Sequence, residues 1–304
     1  MPSRLIAMEP KRFASYEQAV VDAGGELVEL GAEVEALIWT DYARPDLLKQ
    51  TLDANPQLKW VQLPFAGVDA FTDILDRDVT FTCAKGSFAE PVAEHALALT
   101  LALARKIPTR VVARAWGEKF AFSLFGAKVL ILGGGGIGEK LVELLVPFGC
   151  DITVLRKHPQ EMANVRHVGP LSELDSHLAE ADAVVLALSL TPETENLFDL
   201  ARFKRMKPTA YLVNIARGRH VVLPDLLKAL DEGFLAGAAL DVTNPEPLPD
   251  GHEAFGRTDL IITPHTADTN AQVLELFSLR LVQNVTAYLA GEPLVGLVSS
   301  RLGY

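Results

Sequence analysis

The sequence predicts an α/β protein of two Rossmann-like domains, each a doubly wound parallel sheet, with the active site in the interdomain cleft. Three observations predict it. Short apolar runs alternate with amphipathic segments almost from end to end, the pattern of β/α units. One such run, Val129 to Leu132, feeds a glycine loop, Gly133 to Gly138, that opens a helix. The 304 residues, 49% hydrophobic and 22% charged, suffice for about two globular domains with their own cores.

In chain order, Leu5 to Met8, Leu27 to Leu30, Ala36 to Trp39, Trp60 to Leu63 and Thr80 to Thr82 read as strands. Helices at Ser15 to Ala23 and Pro45 to Asp53 fall between them. This first series has no glycine fingerprint. From Pro91 to Arg114 the pattern becomes one long Ala- and Leu-rich helix, followed by the aromatic stretch Trp116 to Phe125. A second series begins at Lys128, with further strands at Ile152 to Leu155, Ala183 to Leu188, Tyr211 to Ile215, Ala236 to Leu240 and Leu260 to Thr263. A last helix, Ala271 to Leu289, has polar and apolar faces and is expected to return to the first domain, ahead of the tail Arg301 to Tyr304. The expected division is a discontinuous substrate-binding domain, 1–95 with 270–304, and a dinucleotide-binding domain, 96–269.

The chemistry of the glycine loop lies in its missing side chains. Gly133 permits the tight turn, Gly135 lets backbone approach a pyrophosphate, and Gly138 lets the helix pack closely on the strand. With Gly136 and Ile137 they form the expected phosphate cradle, completed by the N–H groups and dipole of a helix over Glu139 to Phe148. The next strand of such a domain usually ends in an acid that bonds the ribose hydroxyls. Here Asp151 to Leu155 ends in Arg156-Lys157-His158. Arg156 makes charge-assisted bonds to a 2'-phosphate and Lys157 adds charge, so NADP(H) is expected over NAD(H), with NAD(H) left open.

A net charge of -11 argues against nucleic acid, which needs an excess of Lys and Arg on one face. No signal-like segment and no apolar run of membrane-spanning length is evident, so the expected location is cytoplasmic, with no membrane partner. Cys83 and Cys150 read as buried, reduced thiols. The histidines His95, His158, His167, His177, His220 and His252 show no HExxH spacing and no Cys/His cluster, so no metal site is expected.

Three polar segments follow predicted strands, at the edge where open α/β sheets bind ligands: Ala216-Arg217-Gly218, Asp241 with Pro245-Glu246-Pro247, and Pro264-His265. Arg217, Glu246 and His265 together suit hydride transfer to a 2-keto acid. A guanidinium fork matches a carboxylate, an imidazole gives a proton to a carbonyl oxygen, and a neighbouring carboxylate keeps that imidazole protonated.

With these residues in place, the sequence resembles the D-isomer-specific 2-hydroxyacid dehydrogenase family over nearly its whole length. The matching pieces are Ala66-Gly67-Val68-Asp69, Val92-Ala93-Glu94-His95, the Gly133 to Gly138 loop, Leu190 to Thr194, Val213 to Gly218, Gly237 to Val242 with Glu246-Pro247-Leu248, Thr263-Pro264-His265, Gly291 to Leu294 and Gly303-Tyr304. The resemblance implies that Arg217 grips the substrate carboxylate, His265 is the acid/base and Glu246 its partner. It also implies that backbone N–H groups near Ala66 and Gly67 meet the carboxylate, that Asp241 holds the nicotinamide amide beside Ala216, and that the helix Ala93 to Ala104 forms a homodimer interface. Trp116 is offered as a cap over a neighbouring active site, with plain packing as the alternative.

The sequence departs from the family pattern at Arg156, at Ala187 and Ser189 where His and Pro often stand, and at Val222 where Asp often follows. Leu63, Pro64 and Phe65 suggest a partly apolar pocket, and Lys85 reads as solvated. The expected activity is reduction of glyoxylate or hydroxypyruvate to a D-2-hydroxy acid. A dinucleotide-sensing co-repressor on the same fold, or a dehydrogenase for formate or a phosphorylated hydroxy acid, stand as alternatives.

Overall fold

A computed structural model describes residues 4–299, so the closing Gly303-Tyr304 motif lies outside the described residues. The chain opens with β1 (Leu5–Glu9), α1 (Ala14–Asp22), β2 (Glu26–Leu27), β3 (Ala36–Trp39), α2 (Pro45–Ala54), β4 (Trp60–Gln62) and β5 (Thr80–Thr82). Next come α3 (Ala89–Ala104), α4 (Ile107–Val111), β6 (Lys128–Leu132), α5 (Gly136–Leu145), β7 (Asp151–Leu155), β8 (His167–Gly169) and α6 (Leu174–Leu178). The remainder is β9 (Ala183–Leu186), α7 (Leu200–Phe203), β10 (Tyr211–Asn214), α8 (Leu223–Asp231), β11 (Gly237–Leu240), β12 (Leu260–Ile262) and α9 (Asn270–Ala290). These divide into two compact units, one of residues up to Phe88 with those from Thr269 onward, the other of Ala89–Asp268.

The first unit is a parallel sheet in the order β2-β1-β3-β4-β5. Strands β3 and β4 are buried along their whole length, as apolar runs covered on both faces must be. Ala7, Leu37, Trp39, Val61 and Leu63 build its core with Leu48, Leu52 and Phe71. Each fully buried large side chain contributes about 1.5–3 kcal/mol. Helix α9 packs on α1. It begins with a Thr269/Gln272 capping box and ends at Gly291 in the left-handed region (φ 71°). Its Asn284 donates to Gln62 Oε1 (2.7 Å) inside the sheet, and Arg280 donates to the Lys85 carbonyl (2.8 Å).

The second unit is a seven-stranded parallel sheet in the order β12-β11-β10-β9-β6-β7-β8. The order reverses between β6 and β9, the switch point at which such sheets bind dinucleotides. Leu132, Leu186, Leu212 and Leu240 from the strands pack with Phe198, Phe203 and Leu226 on one side of that sheet.

Several sequence expectations are corrected. The helix read as Pro91 to Arg114 breaks after Ala104 because Pro108 has no N–H to continue it. Lys106 turns left-handed (φ 53°), and Phe122 N–H takes the Ala104 carbonyl that Pro108 leaves free. That helix belongs wholly to the second unit, packing on α5, β10 and β11, so the break between units falls at Phe88/Ala89 rather than 95/96. The helix that the glycine loop opens starts at Gly136, not Glu139, and its last residues, Val146–Phe148, form a 3₁₀ turn. Strand β2 pairs with β1 through only two residues, and β8 was not anticipated. Cys83 is buried, but Cys150 is only half-buried and lies just outside β7; burial pushes its thiol up to about 11.

Candidate active site

The glycine loop is built at the carboxyl end of β6. Gly133 has φ 109°, and a side chain there would strike the Ala187 carbonyl, which its β-carbon would approach to 2.2 Å. A β-carbon at Gly138 would stand 2.2 Å from the Gly133 carbonyl oxygen, so only glycine lets α5 descend onto the strand. Around Gly135 a β-carbon would meet nothing within 4 Å. That open space borders the first turn of α5, whose N-cap is Gly135 itself with no side-chain cap. The first N–H groups of a helix have no intrahelical partner, which makes this end a fit place for a pyrophosphate.

Arg156 leaves β7 and lays its side chain along the same loop. A β-carbon at Gly134 would be 2.9 Å from Arg156 Cδ and 3.2 Å from Nη1. Nη1 is buried without a hydrogen-bond partner among the described residues, a costly state for a guanidinium nitrogen unless a ligand oxygen completes it. The residues present thus fit a 2'-phosphorylated dinucleotide. Lys157 is exposed, and its charge acts on Glu193, whose carboxyl lies below the usual glutamate range mainly through a Thr191 hydrogen bond.

Asp241, at the end of β11, is the hub of the adjoining loops. It is buried and accepts from Thr263 Oγ1 (2.6 Å), Thr266 N–H (2.9 Å) and Ala267 N–H (3.2 Å). His95 Nε2, from α3, lies 3.3 Å from the same carboxylate and 3.2 Å from Thr263 Oγ1. Burial alone would raise this carboxyl, yet the hydrogen bonds from His95 and Thr263 outweigh it and hold it below the ordinary aspartate value. The Asp241 carbonyl in turn accepts from His265 N–H (2.8 Å).

That bond holds His265 in the left-handed region (φ 49°), where a non-glycine residue costs about 1–3 kcal/mol. The strained backbone aims the imidazole at Glu246, with Nδ1 2.6 Å from Oε1. The carboxylate raises the His265 pKa above the ordinary value, against the opposing effect of burial. Burial would raise Glu246, but the bond from His265 prevails and lowers it. The Arg217 charge acts on both groups. Asn214 shapes its turn, accepting from Ala216 N–H (3.1 Å) and donating to the Arg217 carbonyl (2.9 Å). The same turn leaves no room for a β-carbon at Gly218, which would come 1.9 Å from the Thr243 carbonyl oxygen.

The structure therefore brings Arg217, Glu246 and His265 together, and with them Ala216 and Asp241. Ala66 and Gly67 belong to the first unit, just past the carboxyl end of β4; Lys85 there is exposed. Sequence reasoning placed His95 and Thr263 in matching pieces but assigned neither a role, because 168 residues separate them and their contact is not visible in the sequence. It also passed over Asp268, whose carboxyl is pushed up by burial beside the His265 charge. Among the described residues His167, Glu173 and His177 converge, although their spacing carries no ligand pattern.

Residues 97–267 match the family described as D-isomer specific 2-hydroxyacid dehydrogenase, NAD binding domain. An uncharacterized protein of Corynebacterium melassecola is 34% identical over 94% of this chain and 95% of its own. The glyoxylate reductase/hydroxypyruvate reductase of Mus musculus is 32% identical over 93% of this chain and 86% of its own. Among solved structures, a D-isomer specific 2-hydroxyacid dehydrogenase from Xanthobacter autotrophicus Py2, in complex with NADPH and MES, superimposes with a TM-score of 0.87 at 27% identity, covering 100% of both chains.

Proposed function

Since the chain belongs to the D-isomer specific 2-hydroxyacid dehydrogenase family, and so is an NAD(P)-dependent 2-hydroxyacid dehydrogenase, we propose that it reduces a small unphosphorylated 2-keto acid with NADPH. Glyoxylate and hydroxypyruvate are the foremost substrates. The observation that carries this reading is the 2.6 Å His265–Glu246 bond with Arg217 acting on both, at the carboxyl edge of the sheet that bears the glycine cradle.

Gly133, Gly135, Gly136, Ile137 and Gly138 hold the pyrophosphate, Arg156 and Lys157 the 2'-phosphate, and Ala216 and Asp241 the nicotinamide end. The bound coenzyme supplies the hydride that reaches C2 of the keto acid. Arg217 binds the substrate carboxylate by its guanidinium fork. With Nδ1 engaged by Glu246, His265 holds a proton on Nε2 and gives it to the carbonyl oxygen, so the product gains one hydride and one proton and becomes the 2-hydroxy acid. Glu246 favours the imidazolium before transfer. The assembly we propose is a homodimer.

Purified protein should oxidise NADPH when glyoxylate or hydroxypyruvate is added. Charge-assisted bonds are worth about 1.5–3 kcal/mol, so Arg156→Ala should lower kcat/KM for NADPH by roughly 10- to 100-fold and barely change that for NADH. Equal or better efficiency of the unmodified protein with NADH would sink the 2'-phosphate assignment. Coenzyme binding without turnover of any keto acid would favour a sensing role on the same fold.

A further inference from the structure

The described part of the second unit ends, on one side of its sheet, in the three-residue edge strand β8. Alternation along a strand puts His167 and Gly169 on one face. After Pro170 the chain makes a 3₁₀ turn, Leu171–Glu173, and then α6, so Glu173 and His177 lie one helical turn apart. The two pieces meet over Gly169. Glu173 Oε2 stands 2.7 Å from His167 Nε2 and 3.6 Å from His177 Nε2, and the two imidazoles stack at 5.2 Å between centroids. One donor atom from each of the three residues lies within 4.8 Å of the others.

Gly169 is part of the arrangement. A β-carbon there would come 2.3 Å from Glu173 Oε2 and 2.7 Å from His167 Nε2, so the glycine clears the place where the donors converge.

We propose that His167, Glu173 and His177 bind a divalent transition metal ion of the zinc type. Two imidazole nitrogens and one carboxylate oxygen form a set that suits zinc, cobalt, nickel or copper, whereas magnesium and calcium favour oxygen alone. Bonds of 2.0–2.2 Å in a tetrahedron place neighbouring donors about 3.3 Å apart. The distances of 2.7 and 3.6 Å bracket that separation, so small side-chain rotations bring the atoms into place. All three side chains reach solvent, which leaves a fourth position to water.

The ion would tie the edge strand to the segment that follows it. The Gly169 carbonyl accepts from Arg156 N–H (2.9 Å), so the clamp lies one backbone bond from the residue assigned to the 2'-phosphate. The metal assignment itself does not depend on that role.

The test uses full-length protein without an affinity tag, stripped with a chelator and titrated with cobalt(II) by visible absorption and with zinc(II) by calorimetry. One equivalent should bind and raise the melting temperature. His177→Gln and His167→Ala should each weaken that binding at least tenfold, while His265→Ala, which removes the other His–Glu pair, should retain it. Thermal melts without metal show that each variant is folded; should His167→Ala fail, His177→Gln, on the helix surface, decides alone. Absence of saturable binding, binding unchanged in His177→Gln, or binding abolished by His265→Ala overturns the proposal.

Discussion

At the scale of the residue, the proposed mechanism makes the proton on His265 decide the pH behaviour. Glu246 raises the imidazole pKa above the ordinary value of about 6.5, and His265 lowers that of Glu246, so the ion pair persists from below the usual carboxylate range to above the usual imidazole range. In the proposed mechanism reduction needs the imidazolium, and kcat/KM should hold through neutrality and fall on the alkaline side as His265 loses its proton. Oxidation of the hydroxy acid needs the neutral ring and should rise across the same interval. Glu246→Gln removes the group that raises the pKa and should move the alkaline limb toward lower pH, while His265→Ala should cut turnover by about 10²- to 10⁴-fold. An alkaline limb that stays put in Glu246→Gln would separate the two residues. His265 itself was legible because it follows a strand beside Thr263-Pro264; its left-handed backbone was not, since the bond to the Asp241 carbonyl that holds it comes from a distant loop.

At the scale of the element, the glycine cradle makes two opposite predictions. Gly138→Ala drives a β-carbon into the Gly133 carbonyl, and overpacking of this kind costs about 1–3 kcal/mol. Its melting temperature should fall by several degrees. Gly135→Ala meets open space at an ordinary φ of -89° and should leave stability nearly unchanged while weakening coenzyme binding, because the new methyl takes the room a phosphate needs. If the two variants behave alike, the division of labour within the loop is wrong. Strands such as β3 and β9 were legible because their apolar runs are buried on both faces. Strand β8 was not, because three residues, His167-Val168-Gly169, carry too little pattern to separate from a loop. The break in the long helix was legible in Pro108 and was overridden by the Ala- and Leu-rich run around it.

At the scale of the whole molecule, the segment after α3 carries a concentration of exposed apolar surface. Val111 is 77%, Trp116 93% and Phe125 70% exposed. Surface of this kind in one stretch is expected to be covered by a partner, and the proposed dimer supplies a second copy. Sedimentation should give about twice the 33.0 kDa of one chain, and Trp116→Glu should shift the protein toward the monomer. A monomer at micromolar concentration would contradict the dimer. Among the described residues no helix is long and apolar enough to cross a membrane. The division into two units has a bearing on synthesis. Residues Ala89–Asp268 are contiguous and hold all seven strands of their own sheet. The first unit opens the given sequence, yet Gln62 waits for Asn284 and the Lys85 carbonyl for Arg280, which leave the ribosome 222 and 195 residues later. The first unit therefore stays without helix α9 while the whole second unit is made, and the nascent chain carries a sheet whose buried Gln62 has yet to meet Asn284.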